Sequence, residues 1–198
     1  MPGELLQQRL CGHCVINPAA FDSCTAVFLY EAPVSRLIAQ FKYEANFAYG
    51  RVLATLLVGK FIKHYTVLTC SNYDPDFPQQ LIPVPLHPRR LRTRGFNQAN
   101  EIARTISKKT GIPVNNNLVF RTKDTAAQSQ LGASKRIENL RFAFEMTQAA
   151  KEKYPEHVAI IDDVITTTST VSAIARLLKS IGIRRVDVWA LARATRNQ

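Results

Sequence analysis

The chain has 198 residues, which is enough for one compact domain with a small appendage and excludes a multidomain enzyme. Hydrophobic residues make up 46% and charged residues 21%, so the chain can bury a core and wholesale disorder is excluded. A net charge of +11 favours anionic partners, either nucleic acid or a small polyphosphate.

Residues 1–24 show little periodicity and contain three of the four cysteines, so we predict a cysteine-containing N-terminal segment there and a main domain over residues 25–198. Neither an apolar run of about 18 residues nor the pattern of a secretory signal occurs, which predicts a cytoplasmic protein without membrane insertion. Disulfides are improbable in that compartment. Cys11 and Cys14 are therefore either half of a zinc site or two free thiols.

From residue 25 onward, strand-like and helix-like segments alternate, as expected of an α/β protein whose sheet has crossover helices. Residues 26–31 predict a strand. Pro33 suits the first turn of the next helix, in which four apolar residues recur at helical spacing: Val34, Leu37, Ile38 and Phe41. A second helix is predicted to bury five residues: Val52, Leu53, Leu56, Leu57 and Phe61.

In the middle of the chain, the turn-rich residues 71–79 lead to a predicted strand over residues 80–86. A basic loop follows, and then a helix that ends at Gly111 and carries the apolar residues Ala99, Ile102, Ala103 and Ile106. Residues 117–121 predict a short strand. Residues 87–123 contain nine basic side chains and one acidic side chain, so the excess positive charge is local.

The last third begins with residues 122–140, which are polar and predict a mobile excursion over the surface. Residues 141–146 predict a strand, and the apolar run over residues 157–162 predicts a strand buried on both faces. A helix that ends at Gly182 and a last strand over residues 184–192 follow. Several parallel strands with intervening helices are the most economical assembly of these elements.

The most informative segment, residues 158–178, passes from the buried strand through a hydroxyl-rich turn into an amphipathic helix. Asp162 and Asp163 lie at the end of the strand, where ligands bind in open parallel sheets. Carboxylates there suit ribose hydroxyls or Mg²⁺. The turn places five hydroxyl side chains at the N-terminus of a helix, which favours a bound phosphate group: Thr166, Thr167, Thr168, Ser169 and Thr170.

The run IIDDVITTTST resembles the phosphoribosyl pyrophosphate (PRPP) motif of type I phosphoribosyltransferases. The resemblance implies that Asp162 and Asp163 face the ribose and that residues 166–170 surround the 5′-phosphate. The motif usually has Gly where Thr168 stands here. A side chain at this position is expected to narrow the phosphate loop or to disfavour a left-handed backbone angle.

Three longer stretches resemble the ComF/GntX family of phosphoribosyltransferase-like competence proteins: YEAPVSRLIAQFKY, PVPLHPRRLRTRGFNQA and VDVWALAR. The resemblance covers residues 11–193. It implies a type I phosphoribosyltransferase-like fold with a central, mostly parallel sheet flanked by helices and a short cysteine-containing appendage. Family members commonly have a zinc knuckle made of two CxxC pairs, and only Cys11 and Cys14 are present here. Either His13 or Cys24 completes the zinc site, or the metal is lost.

The resemblance also places the basic loop near the pyrophosphate site. Four arginines there suit the neutralisation of a pyrophosphate leaving group, although a solvated basic face is the alternative: Arg89, Arg90, Arg92 and Arg94. Residues 122–140 correspond to the flexible loop that closes over PRPP in the enzymes. Lys135 and Arg136 are candidates for contacts made on closure.

Two functional hypotheses follow. The first is a Mg²⁺-dependent phosphoribosyltransferase that moves ribose 5-phosphate from PRPP to an unidentified acceptor. The second is a non-catalytic module on the same scaffold that binds single-stranded DNA, since the ComF resemblance implies DNA uptake in natural transformation and contact with the uptake machinery. Phe96, Phe120 and Phe142 lie near the basic stretch and either stack on bases or belong to the core. DNA binding would weaken steeply with salt.

Overall fold

A computed structural model describes residues 18–65, 77–123, 143–147 and 154–194. The described residues contain six strands and five helices. In chain order the elements are β1 (Ser23–Leu29), α1 (Val34–Tyr43), α2 (Phe47–Tyr65), β2 (Gln80–Pro83), α3 (Pro88–Arg94), α4 (Gln98–Thr110), β3 (Val119–Arg121), β4 (Phe144–Met146), β5 (His157–Ile165), α5 (Ser169–Ser180) and β6 (Arg185–Arg193). Residues 1–17 of the N-terminal segment, which include Cys11, His13 and Cys14, lie outside the described residues.

Four strands form a parallel sheet in the order β1-β6-β5-β2. A parallel bridge between Leu81 and Val114 continues the sheet beyond β2. Strands β3 and β4 form a separate antiparallel pair. The predicted α/β fold with a central parallel sheet flanked by helices is therefore confirmed. Residues 124–142, which connect β3 to β4 and include Lys135 and Arg136, lie outside the described part of the chain.

The two central strands, β5 and β6, are buried on both faces because apolar residues occupy both sides of their pleat. On one face, side chains such as Val158, Ile160 and Val188 pack against α5 and the β3–β4 pair. On the other face, residues such as Ile161 and Trp189 pack against α1, α2 and α4. The run over residues 157–162 thus forms the buried strand that the sequence predicts, and it continues to Ile165.

The prediction for the second helix is partly wrong. Leu53 and Leu57 are fully buried, but Val52 and Leu56 are 55% and 51% exposed. The side chain of Phe61 lies outside the described ones. Helix α2 has adjacent apolar pairs along its sequence, so it is apolar on more than one face, and spacing alone does not select the face that meets the sheet. Among the described helices, none combines the length and the hydropathy that a membrane span requires.

The junction between α3 and α4 is fixed by two residues of the RGFNQ block. Gly95 ends α3 with a left-handed φ of 80°, and its N–H donates to the carbonyl of Leu91 at 2.8 Å. Asn97 begins α4: its Oδ1 accepts from the Ala99 N–H at 3.0 Å, and its Nδ2 donates to the Val84 carbonyl at 3.0 Å. This block therefore ties the turn between two helices to the end of β2.

A cluster of three rings holds the same junction against α1 and α2. The ring of Phe96 lies 5.5 Å from that of Phe41 and 4.8 Å from that of Phe47. Phe41 is fully buried, and a β-carbon added at Gly50 would lie 2.6 Å from its ring. For Phe96, the structure therefore favours the core interpretation over base stacking.

Candidate functional site

Asp162 and Asp163 lie in the last part of β5, where the sheet gives way to the turn before α5. Successive side chains of a strand point to opposite faces, so the two acids leave the strand in different directions. The backbone N–H of Asp163 donates to Asp162 Oδ1 at 2.8 Å, and the N–H of Val164 donates to Asp163 Oδ1 at 2.9 Å. Asp163 is only 7% exposed, whereas Asp162 is half-buried.

Lys42 is a site residue that the sequence interpretation does not identify. Its Nζ lies 3.0 Å from Asp163 Oδ2, although the two residues are 121 positions apart in the chain. Lys42 is the basic residue of the last turn of α1, within the YEAPVSRLIAQFKY stretch. A single lysine at the end of an amphipathic helix has no distinctive spacing, so only the folded chain identifies its partner.

The electrostatics of this group are asymmetric. The pKa of Asp162 is raised well above its usual range, first because burial disfavours the charged carboxylate and then because the charge of Asp163 is adjacent. The pKa of Lys42 is also raised: burial acts to lower it, but the ion pair with Asp163 outweighs this effect. The site thus contains the Lys42–Asp163 ion pair beside a second acid, Asp162, whose pKa is raised.

The hydroxyl-rich turn lies directly after the acids. Thr166 and Thr167 are exposed, and Thr168 is the N-cap of α5. The side chain of Thr168 makes no cap hydrogen bond, and the first turn of α5 has no acidic residue. The first N–H groups of a helix have no partner within the helix, so this end of α5 suits an anion.

Thr168 does not need the conformational freedom of glycine. Its φ is −75°, which any residue adopts, and its carbonyl accepts from the Ser172 N–H at 2.8 Å. The left-handed angle that a glycine would favour does not occur at this position, so backbone strain gives no reason for Gly here.

The predicted basic loop is instead the short helix α3, and this part of the prediction is wrong. Pro88 occupies the first turn, and His87 Nδ1 accepts from the Arg89 N–H at 3.3 Å, so the local sequence begins a helix. Helical spacing divides the four arginines into two pairs. Arg89 and Arg92 lie three positions apart and are exposed. Arg90 and Arg94 lie four positions apart and are half-buried.

Arg94 contacts a residue of α1. Its guanidinium carbon lies 5.6 Å from the ring centre of Tyr43, which is 75% exposed. A similar contact on the antiparallel pair joins Arg121 to the ring of Phe144 at 5.5 Å, beside the exposed Phe120. The contact of Arg94 with Tyr43 lies on the α3 side of the site.

The acids, the hydroxyl-rich turn and α3 lie at one edge of the sheet. Strands β2 and β5 are adjacent and parallel, and the N–H of Val84, just after β2, donates to the Ile161 carbonyl at 2.9 Å. The last turn of α1 contacts both parts of the site, through Lys42 to Asp163 and through Tyr43 to Arg94. The topology thus places the three predicted groups where ligands bind in open α/β sheets.

The two carboxylates suit a magnesium ion that takes most of its other oxygen ligands from a bound phosphate compound. The described residues contain no group of three or more histidine, cysteine or acidic side chains that gathers around one point. Mg²⁺ in proteins is often held by one or two carboxylates together with phosphate oxygens, and Asp162 and Asp163 supply that number. Of the cysteines considered as zinc ligands, Cys24 lies in β1 and packs partly against the core. Cys11 and Cys14 lie outside the described residues.

A second polar cluster lies at the opposite edge of the sheet, where β1, β5 and β6 begin. Asp187 accepts from Ser23 Oγ at 2.7 Å and contacts His157 Nε2 at 2.8 Å and Arg185 Nη2 at 3.3 Å. Burial acts to raise the pKa of Asp187, but the hydrogen bonds from His157 and Ser23 outweigh it and the pKa is lowered. This cluster, remote from the acid pair, joins three strands.

The chain resembles several bacterial proteins in sequence, although no protein-family model matches it. It is 37% identical over 185 residues to Competence protein F of Haemophilus influenzae, covering 93% of this chain and 78% of that protein. It is 34% identical over 183 residues to the DNA utilization protein YhgH of Escherichia coli K12, covering 92% and 77%. It is 24% identical over 168 residues to Competence protein ComFC of Streptococcus pneumoniae, covering 85% and 67%.

Solved structures with a similar fold include two phosphoribosyltransferases. The hypoxanthine-guanine phosphoribosyl transferase of L. donovani is 14% identical with a TM-score of 0.43, covering 73% of this chain and 71% of that chain. The purine phosphoribosyltransferase of Pyrococcus horikoshii is 12% identical with a TM-score of 0.40, covering 88% and 90%.

Proposed function

The chain belongs to the family of Competence protein F and the DNA utilization protein YhgH, and from that premise we propose that it binds PRPP with Mg²⁺ and serves DNA uptake in natural transformation, in the cytoplasm. The observation that carries the binding proposal is the order of groups along one strand and one helix. Two acids end a buried central strand, a hydroxyl-rich turn follows, and the N-terminus of α5 lies directly after it. The names of the relatives support the role in DNA uptake.

Each part of the edge suits one part of PRPP. The N–H groups of the first turn of α5 and the hydroxyls of residues 166–170 would hold the 5′-phosphate. The acid pair of Asp162 and Asp163 would face the ribose, and a carboxylate oxygen of this pair would accept a hydrogen bond from a ribose hydroxyl. The same acid pair would help to hold Mg²⁺, whose positive charge would offset that of the pyrophosphate. The arginines of α3 would add positive charge on the pyrophosphate side.

The proposed activity is transfer of ribose 5-phosphate to an acceptor nucleophile. In that reaction the bond from the anomeric carbon to pyrophosphate breaks, the bond to the acceptor forms, and pyrophosphate leaves with the electron pair. The arginines would stabilise the charge that develops on the leaving group. Release of pyrophosphate measured with and without candidate nitrogenous bases tests this step separately from binding.

The binding proposal is tested by calorimetry and thermal melting with PRPP and Mg²⁺. A ligand at 100 times its dissociation constant stabilises the folded state by about 2.7 kcal/mol. A chain of this size gains roughly 2–4 °C per kcal/mol, so the melting temperature should rise by roughly 5–11 °C. The double variant D162N/D163N should lose this rise, whereas E156Q, which changes an exposed acid just before β5, should keep it. An equal rise in the double variant would overturn the proposal.

A second candidate function is favoured by the surface of α3. Arg89 and Arg92 are exposed there, and Tyr43, itself 75% exposed, lies against Arg94. Exposed aromatic rings beside cations form the platforms on which single-stranded nucleic acid stacks. We propose that this surface binds single-stranded DNA, either alongside PRPP binding or in place of turnover.

Binding of a labelled oligonucleotide measured at several salt concentrations tests the DNA proposal. Removing one phosphate-binding side chain should reduce the salt slope by about 0.7, so R89A/R92A should reduce it by about 1.4. Y43A should weaken binding roughly 5- to 150-fold, the value of one stacked base. The control K108A/K109A removes two exposed charges at the far end of α4. A slope that falls equally in both double variants would contradict a specific surface on α3.

A further inference from the structure

We infer that Lys42 is a positioning residue for the proposed PRPP site: it anchors Asp163 inside the protein and leaves Asp162 as the acid that contacts the ligand. This inference rests on the proposed function and deepens it, because it assigns different roles to two adjacent acids. It also adds to the site a residue of α1 that the acid motif does not include.

The contacts of Asp163 show how the anchor is made. Its Oδ1 accepts from the backbone N–H of Val164 at 2.9 Å, and its Oδ2 accepts from Lys42 Nζ at 3.0 Å. Both carboxylate oxygens are thus engaged by the protein, and the side chain is 11% exposed. A ribose hydroxyl or a metal ion would have to compete with the ammonium group of Lys42 for Oδ2.

Asp162 stands in a different position. Its Oδ1 accepts from the N–H of Asp163 at 2.8 Å, and the residue is more exposed than its neighbour. The alternation of side chains along a strand directs it away from the face on which Lys42 holds Asp163. Asp162 is therefore the acid that can present an oxygen to a ligand without first breaking an ion pair.

The place of Lys42 in the fold suits a fixed anchor. It lies in the last turn of α1, and the next residue, Tyr43, contacts Arg94 of α3. The same helix buries Ile38 and Phe41 in the core. The ammonium group is therefore carried by a packed helix, and its position relative to β5 is set by the core.

The alternative is that Lys42 contacts the anionic ligand directly, and a double-mutant cycle in PRPP affinity separates the two roles. The dissociation constant of PRPP, with Mg²⁺ present, is measured by calorimetry for the wild type, K42M, D163N and K42M/D163N. If Lys42 acts through Asp163, K42M should weaken binding about 10- to 100-fold in the wild-type background, because Asp163 loses its partner beside an anionic ligand. In the D163N background the same substitution should change affinity less than about threefold.

Further variants keep the test interpretable. K42R keeps the charge and a donor for Asp163, so it should retain affinity within about threefold of the wild type. The control is K179M. Lys179 lies in the last turn of α5, and its Nζ pairs with Asp22 Oδ1 at 2.7 Å, so its removal should leave PRPP affinity unchanged. Should K42M fail to fold, K42A takes its place in the cycle, since it also removes the interaction with Asp163.

The outcomes distinguish this inference from the function on which it rests. A wild-type chain that binds no PRPP overturns both. Binding that K42M weakens by the same factor in both backgrounds overturns the inference alone, because Lys42 would then act directly on the ligand. D162N should abolish PRPP binding while D163N retains measurable affinity. The reverse order would also overturn the division between the two acids.

Discussion

Removal of the Asp187 carboxylate should destabilise the protein more than any single change on its surface. Asp187 is 1% exposed and accepts from Ser23, contacts His157 and pairs with Arg185. D187A would leave the buried His157 and Ser23 without this partner. Loss of one member of a buried, hydrogen-bonded pair costs about 3–5 kcal/mol, so the free energy of unfolding should fall by that amount. For a chain of this size the melting temperature should fall by roughly 6–20 °C.

The assay is equilibrium unfolding in urea, followed by circular dichroism, at neutral pH. The matched control is E156A, which breaks the Glu156–Arg184 pair at the same edge of the sheet. That pair has a separation of 3.8 Å and two largely exposed side chains, so its loss should change stability by about 0.5 kcal/mol or less. A D187A variant no less stable than the control would refute the role assigned to the buried cluster.

The pH dependence of the same comparison has a definite sign. Because the pKa of Asp187 is lower in the folded state than in the unfolded chain, its contribution is fully present above the unfolded pKa, about 3.9. It is lost as the pH falls through the folded value. The difference in unfolding free energy between wild type and D187N should therefore shrink as the pH falls below about 4. A difference that grows in acid would contradict this assignment.

The remaining predictions concern two glycines, one acid and one cap, each measured by thermal or urea unfolding. G50A should destabilise the protein by about 1–3 kcal/mol because the added methyl group meets the ring of Phe41, whereas G59A, with open space around it, should stabilise it by about 0.5–1 kcal/mol. Equal effects would contradict the packing argument. D162N should raise stability at neutral pH, because the raised pKa of Asp162 means that its charged form disfavours folding, and the gain should vanish in acid where wild type is protonated. N97A should cost about 1 kcal/mol through removal of the N-cap, and an unchanged melting temperature would contradict the cap.

The sequence predicts the parts of the fold that depend on local patterns. The buried strand β5 is a continuous apolar run, and α4 and α5 carry regular apolar stripes. Gly111 caps α4 as the pattern predicts, whereas α5 ends at Ser180, two residues before Gly182. The adjacency of the acids and the hydroxyl-rich turn is also local, since it spans only nine positions from Asp162 to Thr170. Such features are visible in the sequence because the residues that make them are neighbours along the chain.

The features that the sequence does not reveal depend on contacts between distant segments. The Lys42–Asp163 pair and the contact of Ser23 with Asp187 each join elements that are more than 100 positions apart. The sequence predicts a loop where α3 lies, because four arginines in seven residues give no apolar periodicity and indicate only a solvent-exposed segment. The cap at His87 is a single contact that the sequence does not reveal. On α2, Val52 and Leu56 continue the apolar composition of the helix, and only the position of the sheet decides that they face outward.

The construction of the RGFNQ block has a consequence for recognising proteins of this kind. Gly95 ends α3, the ring of Phe96 packs against rings of α1 and α2, and Asn97 begins α4. These three residues connect and position helices of the fold, and none of their contacts requires a substrate. A sequence search that matches this block therefore selects a shared architecture, and the chemistry of each protein so found has to be judged from the side chains at the end of its central strand.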